Sequence, residues 1–150
     1  MPNGWKRNME TTMRTVLIDT NVVLDYAGER EGFVEAAKEI FVLMRQGSFD
    51  GFVSSSAVTD IYFFLRKHYK SSEIALSLLV MLLKALGVLM VDGQTIESAI
   101  DSGMKDFEDA VQAAAARDFG IDMVVTRDRT GFHDSGLLVY SPEEFLETLK

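Results

Sequence analysis

The sequence contains no cysteine, only two histidines and only two prolines. Without cysteine, the chain cannot form a disulfide scaffold, a thiolate zinc site or a cysteine nucleophile. Two histidines also disfavour a histidine-rich metal site. Any metal bound by this chain is therefore expected to be a hard cation with oxygen ligands.

Basic residues are scarce as well, because 15 lysines and arginines stand against 23 aspartates and glutamates, which gives a net charge of -8. This balance argues against general binding of nucleic acid through a basic surface. It does not exclude an enzyme that holds phosphates through metal ions. Apolar residues, in contrast, make up 47% of the 150 positions, which is enough for one sizeable core.

The chain also lacks a long uninterrupted apolar run. A membrane-spanning helix needs about 20 apolar residues, and the most apolar stretch, residues 74–91, is interrupted by a serine, a lysine and a glycine. Residues 1–13 have no apolar segment of the kind found in secretory leaders. We therefore expect a poorly ordered N-terminal extension over residues 1–13, one domain over residues 14–150, and a cytoplasmic protein without membrane contact.

Short apolar runs alternate with segments of helical periodicity along the chain. This alternation predicts an α/β fold of three layers, in which helices cover both faces of a central, mainly parallel sheet of about five strands. The predicted strands are residues 15–18, 51–53, 88–91, 123–125 and 137–140.

The predicted helices have clear boundary residues. One helix ends before Gly47, another begins at Asp106 and runs to about Asp118, and a last one opens at Ser141 with a proline and a capping-box glutamate. A further helix, residues 74–86, is apolar nearly all round. Such a helix lies either at the centre of the core or partly in contact with a partner subunit.

Four aspartates are predicted at one edge of the sheet. Asp19 directly follows the first strand and Asp128 closes the fourth, while Asp60 and Asp109 lie at or near the first turn of helices. The carboxyl ends of parallel strands and the beginnings of the crossover helices share one edge, where ligands bind in such folds. We expect the four to converge if the first and fourth strands are neighbours.

Converging carboxylates repel one another, and divalent cations remove that repulsion. Mg²⁺ or Mn²⁺ held in this way can stabilise the charge of a phosphodiester displacement. Singly, each aspartate is more typical of a turn or a helix cap, so the hypothesis depends on the coincidence of four. Asp106 is more typical of a cap than of a ligand, and Asp25 and Glu108 fall on other faces.

Two other protein classes place acidic residues at the first strand, one of them an enzyme class. Haloacid-dehalogenase-like phosphatases need a second acid two positions further on, where this chain has Asn21. Receiver domains need an acidic pair there and a lysine near the last strand, which the sequence does not provide. Glycine-rich nucleotide loops are also absent from the sequence.

Four motifs together resemble the PIN-domain family of metal-dependent ribonucleases, which includes many toxins of toxin–antitoxin pairs. The motifs are VLIDTNVVLD (16–25), TDIY (59–62), DFEDA (106–110) and VVTRD (124–128). Each is weak singly, but their order and spacing are fairly specific, and the resemblance spans residues 14–149. It implies a parallel sheet with the first strand beside the fourth.

The resemblance also implies site residues. Asp19, Asp60, Asp109 and Asp128 match the catalytic acids that bind Mg²⁺ or Mn²⁺, and Asn21, Thr126 and Asp106 match accompanying residues that orient ligands or water. Many family members carry glutamate where this chain has Asp60, so contact with the metal through a bridging water is expected there. Arg127 and Arg129 flank Asp128, and either contact substrate phosphate or form surface ion pairs or antitoxin contacts.

The implied reaction is hydrolysis of phosphodiester bonds in single-stranded RNA, with an antitoxin protein as a possible partner. Family members commonly form dimers, and the apolar helix 74–86 is a candidate interface. The alternative is a catalytically weak PIN-like module that binds nucleic acid or protein. Arg66, Lys67 and Lys70 form a small basic cluster at a helix end, where sequence alone favours a solvated group that suits the helix dipole.

Overall fold

The computed structural model describes residues 14–150, so the expected N-terminal extension, residues 1–13, lies outside the described residues. The strands are β1 (Thr15–Ile18), β2 (Asp50–Ser54), β3 (Gly87–Leu89), β4 (Met123–Val125) and β5 (Leu138–Tyr140). The helices are α1 (Thr20–Ala27), α2 (Val34–Arg45), α3 (Ser55–Tyr69), α4 (Ser72–Ala85), α5 (Gly93–Asp101), α6 (Phe107–Phe119) and α7 (Pro142–Thr148). A short 3-10 helix spans Thr130–Phe132.

The five strands form one parallel sheet in the order β3-β2-β1-β4-β5. The predicted fold class is confirmed, including the pairing of the first strand with the fourth. In that pair, Leu17 lies opposite Val124 and Ile18 lies opposite Val125. All five strands therefore end at one edge of the sheet.

Alternate side chains of β1 enter two different cores, because successive residues of a strand point to opposite faces. Val16 and Ile18 pack in the larger core with α1, α2, α3, α4 and α7. Leu17 packs on the other face against α6, and α5 covers α6 from outside. The sheet is thus covered on both sides, which explains why its strands are apolar on both faces.

The predicted helix boundaries are confirmed by their capping contacts. The Asp106 side chain accepts a hydrogen bond from the Asp109 backbone N–H at the start of α6 (2.9 Å). Ser141 and Glu144 form the reciprocal capping box of α7. Beyond the end of α2, Gly47 adopts a φ of +83°, a conformation that glycine takes without steric cost.

Several element boundaries lie one or two residues from the predicted ones. β3 ends at Leu89 rather than at residue 91, because it pairs only with β2, and β2 ends at Ser54 opposite Leu89. Helix α3 starts directly after β2, at Ser55, so Asp60 lies in its second turn rather than its first. Helices α1 and α5 were not predicted.

Helix α4 lies at the surface and not at the centre of the core. Of its residues only Ala75 and Leu82 are buried. About half of the surface of Leu76 (53%) and Val80 (54%) is exposed. Neither α4 nor any other helix within residues 14–150 is long and apolar enough to cross a bilayer.

Candidate functional site

The pairing of β1 with β4 places two of the predicted acids side by side. Asp19 follows β1 directly, and its backbone N–H donates to the carbonyl oxygen of Val125 at the end of β4 (3.0 Å). Asp128 follows three residues later. The edge of the sheet on which the sequence places the acids is therefore the edge where β1 and β4 end together.

The carboxylate of Asp19 is buried, with 3% of the residue exposed. Burial raises its pKa, because a charged carboxylate loses solvation, and the nearby charge of Asp128 adds to the increase. Three hydrogen bonds act in the opposite direction, from the side chains of Thr126 and Gln112 and from the backbone of Thr20. These donors favour the ionised carboxylate at a position without solvent.

Thr126 links two of the acids. Its hydroxyl donates to Asp19 Oδ2 (2.8 Å) and accepts from the backbone N–H of Asp128 (2.9 Å). Thr126 is itself fully buried, and its backbone N–H donates to the carbonyl of Tyr140 in the neighbouring strand β5 (2.9 Å). The position of Asp128 relative to Asp19 is thus fixed through one buried hydroxyl group.

Asp109 joins this pair from the first turn of α6 and is half-buried. Desolvation raises its pKa to about 7, with further contributions from the charges of Asp19, Asp106, Asp128 and Glu108. At neutral pH a large fraction of Asp109 is therefore protonated when no cation is present. The structure thus brings together Asp19, Asp109 and Asp128, with Asp106 beside them as the cap of the same helix.

Gly131 leaves space between two of these acids. A Cβ atom added to Gly131 would lie 2.5 Å from Asp109 Oδ2 and 2.6 Å from Asp128 Oδ2. The other oxygen of Asp128 accepts a hydrogen bond from the Gly131 backbone N–H (3.0 Å). One oxygen of each acid therefore borders a space that any side chain at position 131 would fill.

The fourth predicted acid, Asp60, is exposed on α3. It lines a cleft of about 160 Å³ together with Thr20, Glu108 and Gln112. Because Thr20 and Gln112 also contact Asp19, this cleft reaches the donors of the buried carboxylate.

The two predicted substrate-binding arginines form ion pairs. Arg127 donates twice to Asp25 (2.6 and 3.1 Å) and stacks on Phe33, with 3.9 Å between the guanidinium carbon and the ring centre. Arg129 pairs with Glu144 at the surface (2.6 Å). Arg127 is thus held by a side chain of α1, whereas both members of the Arg129 pair are exposed.

Asp25 is buried and also pairs with Arg30 (3.3 Å). Arg30 in turn donates to Asn21 Oδ1 (3.4 Å). Asp25 therefore pairs with two arginines, Arg30 and Arg127, and Arg30 connects it to Asn21.

The sequence prediction missed Gln112. It lies 4% exposed on α6, and its amide N–H donates to Asp19 Oδ1 (3.3 Å). Its Oε1 atom is buried without a hydrogen-bond partner within residues 14–150. A signal was present in the sequence, since Gln112 is the polar residue in the otherwise apolar run 110–116 and follows Asp109 by three positions, on the same helix face.

The donor chemistry of the acids fits a hard divalent cation, because all the donor atoms are carboxylate oxygens. As the side chains stand, no group of three or more His, Cys, Asp or Glu residues between 14 and 150 could hold a metal ion. Two carboxylates border the space at Gly131, and desolvation together with the charges of the neighbouring acids raises the pKa of Asp109. A cation there would be held by Asp109 and Asp128, with water as further ligand.

The raised pKa of Asp109 has a consequence for stability. In the unfolded chain this carboxyl loses its proton near pH 4, but in the folded protein it does so near pH 7, so the folded state loses stability as the pH rises between these values. With divalent cations chelated, Asp109→Asn should be more stable than the wild type at pH 8 by about 1–2 kcal/mol, after allowance for solvent screening. Urea denaturation at pH 4.5 and pH 8 measures this. The control is Asp101→Asn, an exposed acid of α5, and identical pH dependences of wild type and Asp109→Asn would contradict the assignment.

Gln112→Leu should show the opposite pH dependence. The substitution removes a buried acceptor that has no partner, which stabilises the fold by about 1 kcal/mol at acid pH. It also removes a donor from ionised Asp19, so the pKa of Asp19 rises further and the stability gain disappears as the pH increases. The same denaturation series tests this. A gain that is constant with pH would mean that Gln112 matters only for packing.

Comparisons with known proteins identify the family of the chain. Residues 15–130 match the model of a PIN domain family. The chain is 28% identical over 137 residues to ribonuclease VapC1 of Aquifex aeolicus (strain VF5), a match that covers 88% of this chain and 93% of that protein.

Solved structures with the same fold include VapBC2 from Rickettsia felis, bound to a DNA fragment from the promoter (13% identity, TM-score 0.67). That match covers 85% of this chain and 98% of the other. Another is VapC20 of Mycobacterium tuberculosis, a toxin that cleaves the sarcin–ricin loop (18% identity, TM-score 0.58). That match covers 73% of this chain and 86% of the VapC20 chain. On the family match over most of its length, the chain belongs to the PIN-domain family.

Proposed function

We propose that this protein is a Mg²⁺- or Mn²⁺-dependent endoribonuclease that hydrolyses phosphodiester bonds in single-stranded RNA. The observation that carries the proposal is the space at Gly131, which Asp109 and Asp128 border with one oxygen each while the buried Asp19 lies beside them. Uncompensated negative charge around an open space is the arrangement that divalent cations stabilise. The relative ribonuclease VapC1 supports the same reaction class.

Each acid has a distinct role in this proposal. Asp109 and Asp128 hold the cation, and Asp19 is oriented by the donors Thr126 and Gln112, which offset part of the increase that burial causes in its pKa. When bound, the cation stabilises charge on the phosphate and lowers the pKa of water. Asp60 faces the adjoining cleft and acts through a bridging water.

Arg127 and Arg129 differ in how freely they can contact a substrate phosphate. The exposed pair of Arg129 with Glu144 is weak, because surface ion pairs contribute at most about 1 kcal/mol, so Arg129 is free to exchange Glu144 for a substrate phosphate. Arg127 is tied to buried Asp25 and contacts phosphate only through the part of its guanidinium that stays exposed.

We further propose that the protein is the toxin of a toxin–antitoxin pair and acts in the cytoplasm, where its RNA substrate lies. The solved structures that support this proposal include a toxin–antitoxin complex from Klebsiella pneumoniae and FitAB bound to a DNA fragment. An antitoxin protein is the corresponding partner.

The nuclease proposal is tested on a fluorescent single-stranded RNA in the presence of Mn²⁺. Asp19→Asn, Asp109→Asn and Asp128→Asn should each lower the cleavage rate by at least about 100-fold, because each removes charge that the cation needs. Asp101→Asn, the exposed control, should cleave like the wild type. Circular dichroism verifies that the variants are folded. Equal cleavage by wild type and Asp19→Asn would show that the activity comes from a contaminant or from another site.

A homodimer through α4 is proposed from the exposed apolar residues Leu76, Val80 and Met81. Sedimentation equilibrium at micromolar concentration should give twice the mass of one chain. Val80→Glu should give the mass of a single folded chain, because a charge would be buried in the interface. The control Ile100→Glu alters an exposed apolar residue of α5 and should leave the dimer intact. A single-chain mass for the wild type would overturn this proposal.

A further inference from the structure

The exposed side of α3 forms one continuous strip that starts at the candidate active site. We call it the α3 strip, and it consists of Ser56, Thr59, Asp60, Phe63, Arg66, Lys67 and Lys70, the last being the residue that ends the helix. Their spacing of three or four residues keeps them on one helix face. At 1.5 Å per residue, the strip runs about 15 Å from Asp60 to Lys70.

The far end of the α3 strip is basic. Arg66, Lys67 and Lys70 line a broad cleft of about 610 Å³, in which they face one acid, Glu73. None of the three forms an ion pair within residues 14–150. In a chain of net charge -8, three adjacent cations without acidic partners form a local surface that attracts anions.

Lys70 has an unusual backbone conformation at the end of α3. Lys70 ends α3 in the left-handed conformation (φ 54°, ψ 36°), and within residues 14–150 it is one of two residues other than glycine with a positive φ. Helices normally place glycine there, because a side chain adds strain. Arg66 and Lys67 already supply positive charge for the helix dipole. Lys70 thus adds a third cation beside Arg66 and Lys67 at the end of the helix.

Phe63 supplies an aromatic surface between the acidic and the basic ends of the strip. Its ring is 59% exposed, although large apolar side chains are normally buried, and it lines the same cleft as the three cations. Cations that follow a backbone, together with aromatic rings on which bases stack, are typical of proteins that bind single-stranded nucleic acid.

We propose that the α3 strip binds the single-stranded RNA substrate on one side of the scissile bond, with phosphates at Arg66, Lys67 and Lys70 and a base stacked on Phe63. This inference rests on the proposed nuclease function. Sequence alone favours a solvated basic cluster. The exposed ring of Phe63 in the same cleft, and the position of the strip next to Asp60, favour a binding surface instead. The protein therefore binds RNA locally despite its overall acidity.

The test measures binding of a fluorescent 20-nucleotide oligouridylate by anisotropy, with divalent cations chelated and salt varied. Lys67→Gln should reduce the slope of log affinity against log salt by about 0.7, and replacement of all three cations by glutamine should reduce it by about 2. The matched control Lys38→Gln removes an exposed lysine from α2. Phe63→Ala should weaken binding about fivefold or more with the slope unchanged.

Lys70→Gly separates folding from binding. It relieves the backbone strain, so the melting temperature should stay equal or rise, while the salt slope decreases as in Lys67→Gln. In a parallel assay with Mn²⁺, Lys67→Gln and Lys70→Gly should cleave a dinucleotide at the wild-type rate, because so short a substrate does not reach the basic end of the strip.

Three outcomes of these assays test the proposal that the α3 strip binds RNA. Slopes and affinities that match the Lys38→Gln control would overturn the proposal. It would also be overturned if RNA binding is unchanged while an oligoglutamate peptide loses affinity, since the strip would then be a surface for an acidic protein segment. If the wild type cleaves no RNA, the proposed nuclease function is wrong. The binding measurements then still decide whether the α3 strip binds RNA.

Discussion

The buried carboxylate of Asp19 is the constraint on which the rest of the site depends. A carboxylate without solvent requires hydrogen-bond donors. The fold supplies them through Thr126, which directly follows β4, and through Gln112 of α6. Each of these donors also fixes another part of the site. Thr126 holds the backbone of Asp128, and Gln112 lies on the helix that carries Asp109. One desolvated charge therefore sets the positions of the groups around it.

A second buried acid, Asp25, plays a corresponding structural role on the neighbouring side. It pairs with Arg127, which stands between Thr126 and Asp128 in the chain, so the segment that follows β4 is held at two points. Removing one partner of such a pair leaves an uncompensated buried charge, which costs about 3–5 kcal/mol. The loop after β4 is thus held by electrostatic contacts at its start and by the buried ring of Phe132 further along.

Much of the fold could be predicted from the sequence, since parallel strands that are apolar on both faces and helices with caps leave local signals. The site acids Asp19, Asp109 and Asp128 followed from the rule that strands of a parallel sheet end at one edge. The partners of buried groups could not be predicted in this way. Gln112 and the pair of Asp25 with Arg127 depend on contacts across about 100 residues, and the offset of Asp60 depends on the absence of any loop between β2 and α3.

The strand order has a consequence for the synthesis of the protein. The central strand β1 is made first, but its neighbour β4 is made near the end, and the hydroxyl that Thr126 gives to Asp19 comes from 107 residues further along the chain. Because chains emerge from the ribosome with the N-terminus leading, a nascent chain carries an incomplete set of carboxylates for most of its translation. The acidic cluster can form only after the last part of the domain has left the exit tunnel of the ribosome.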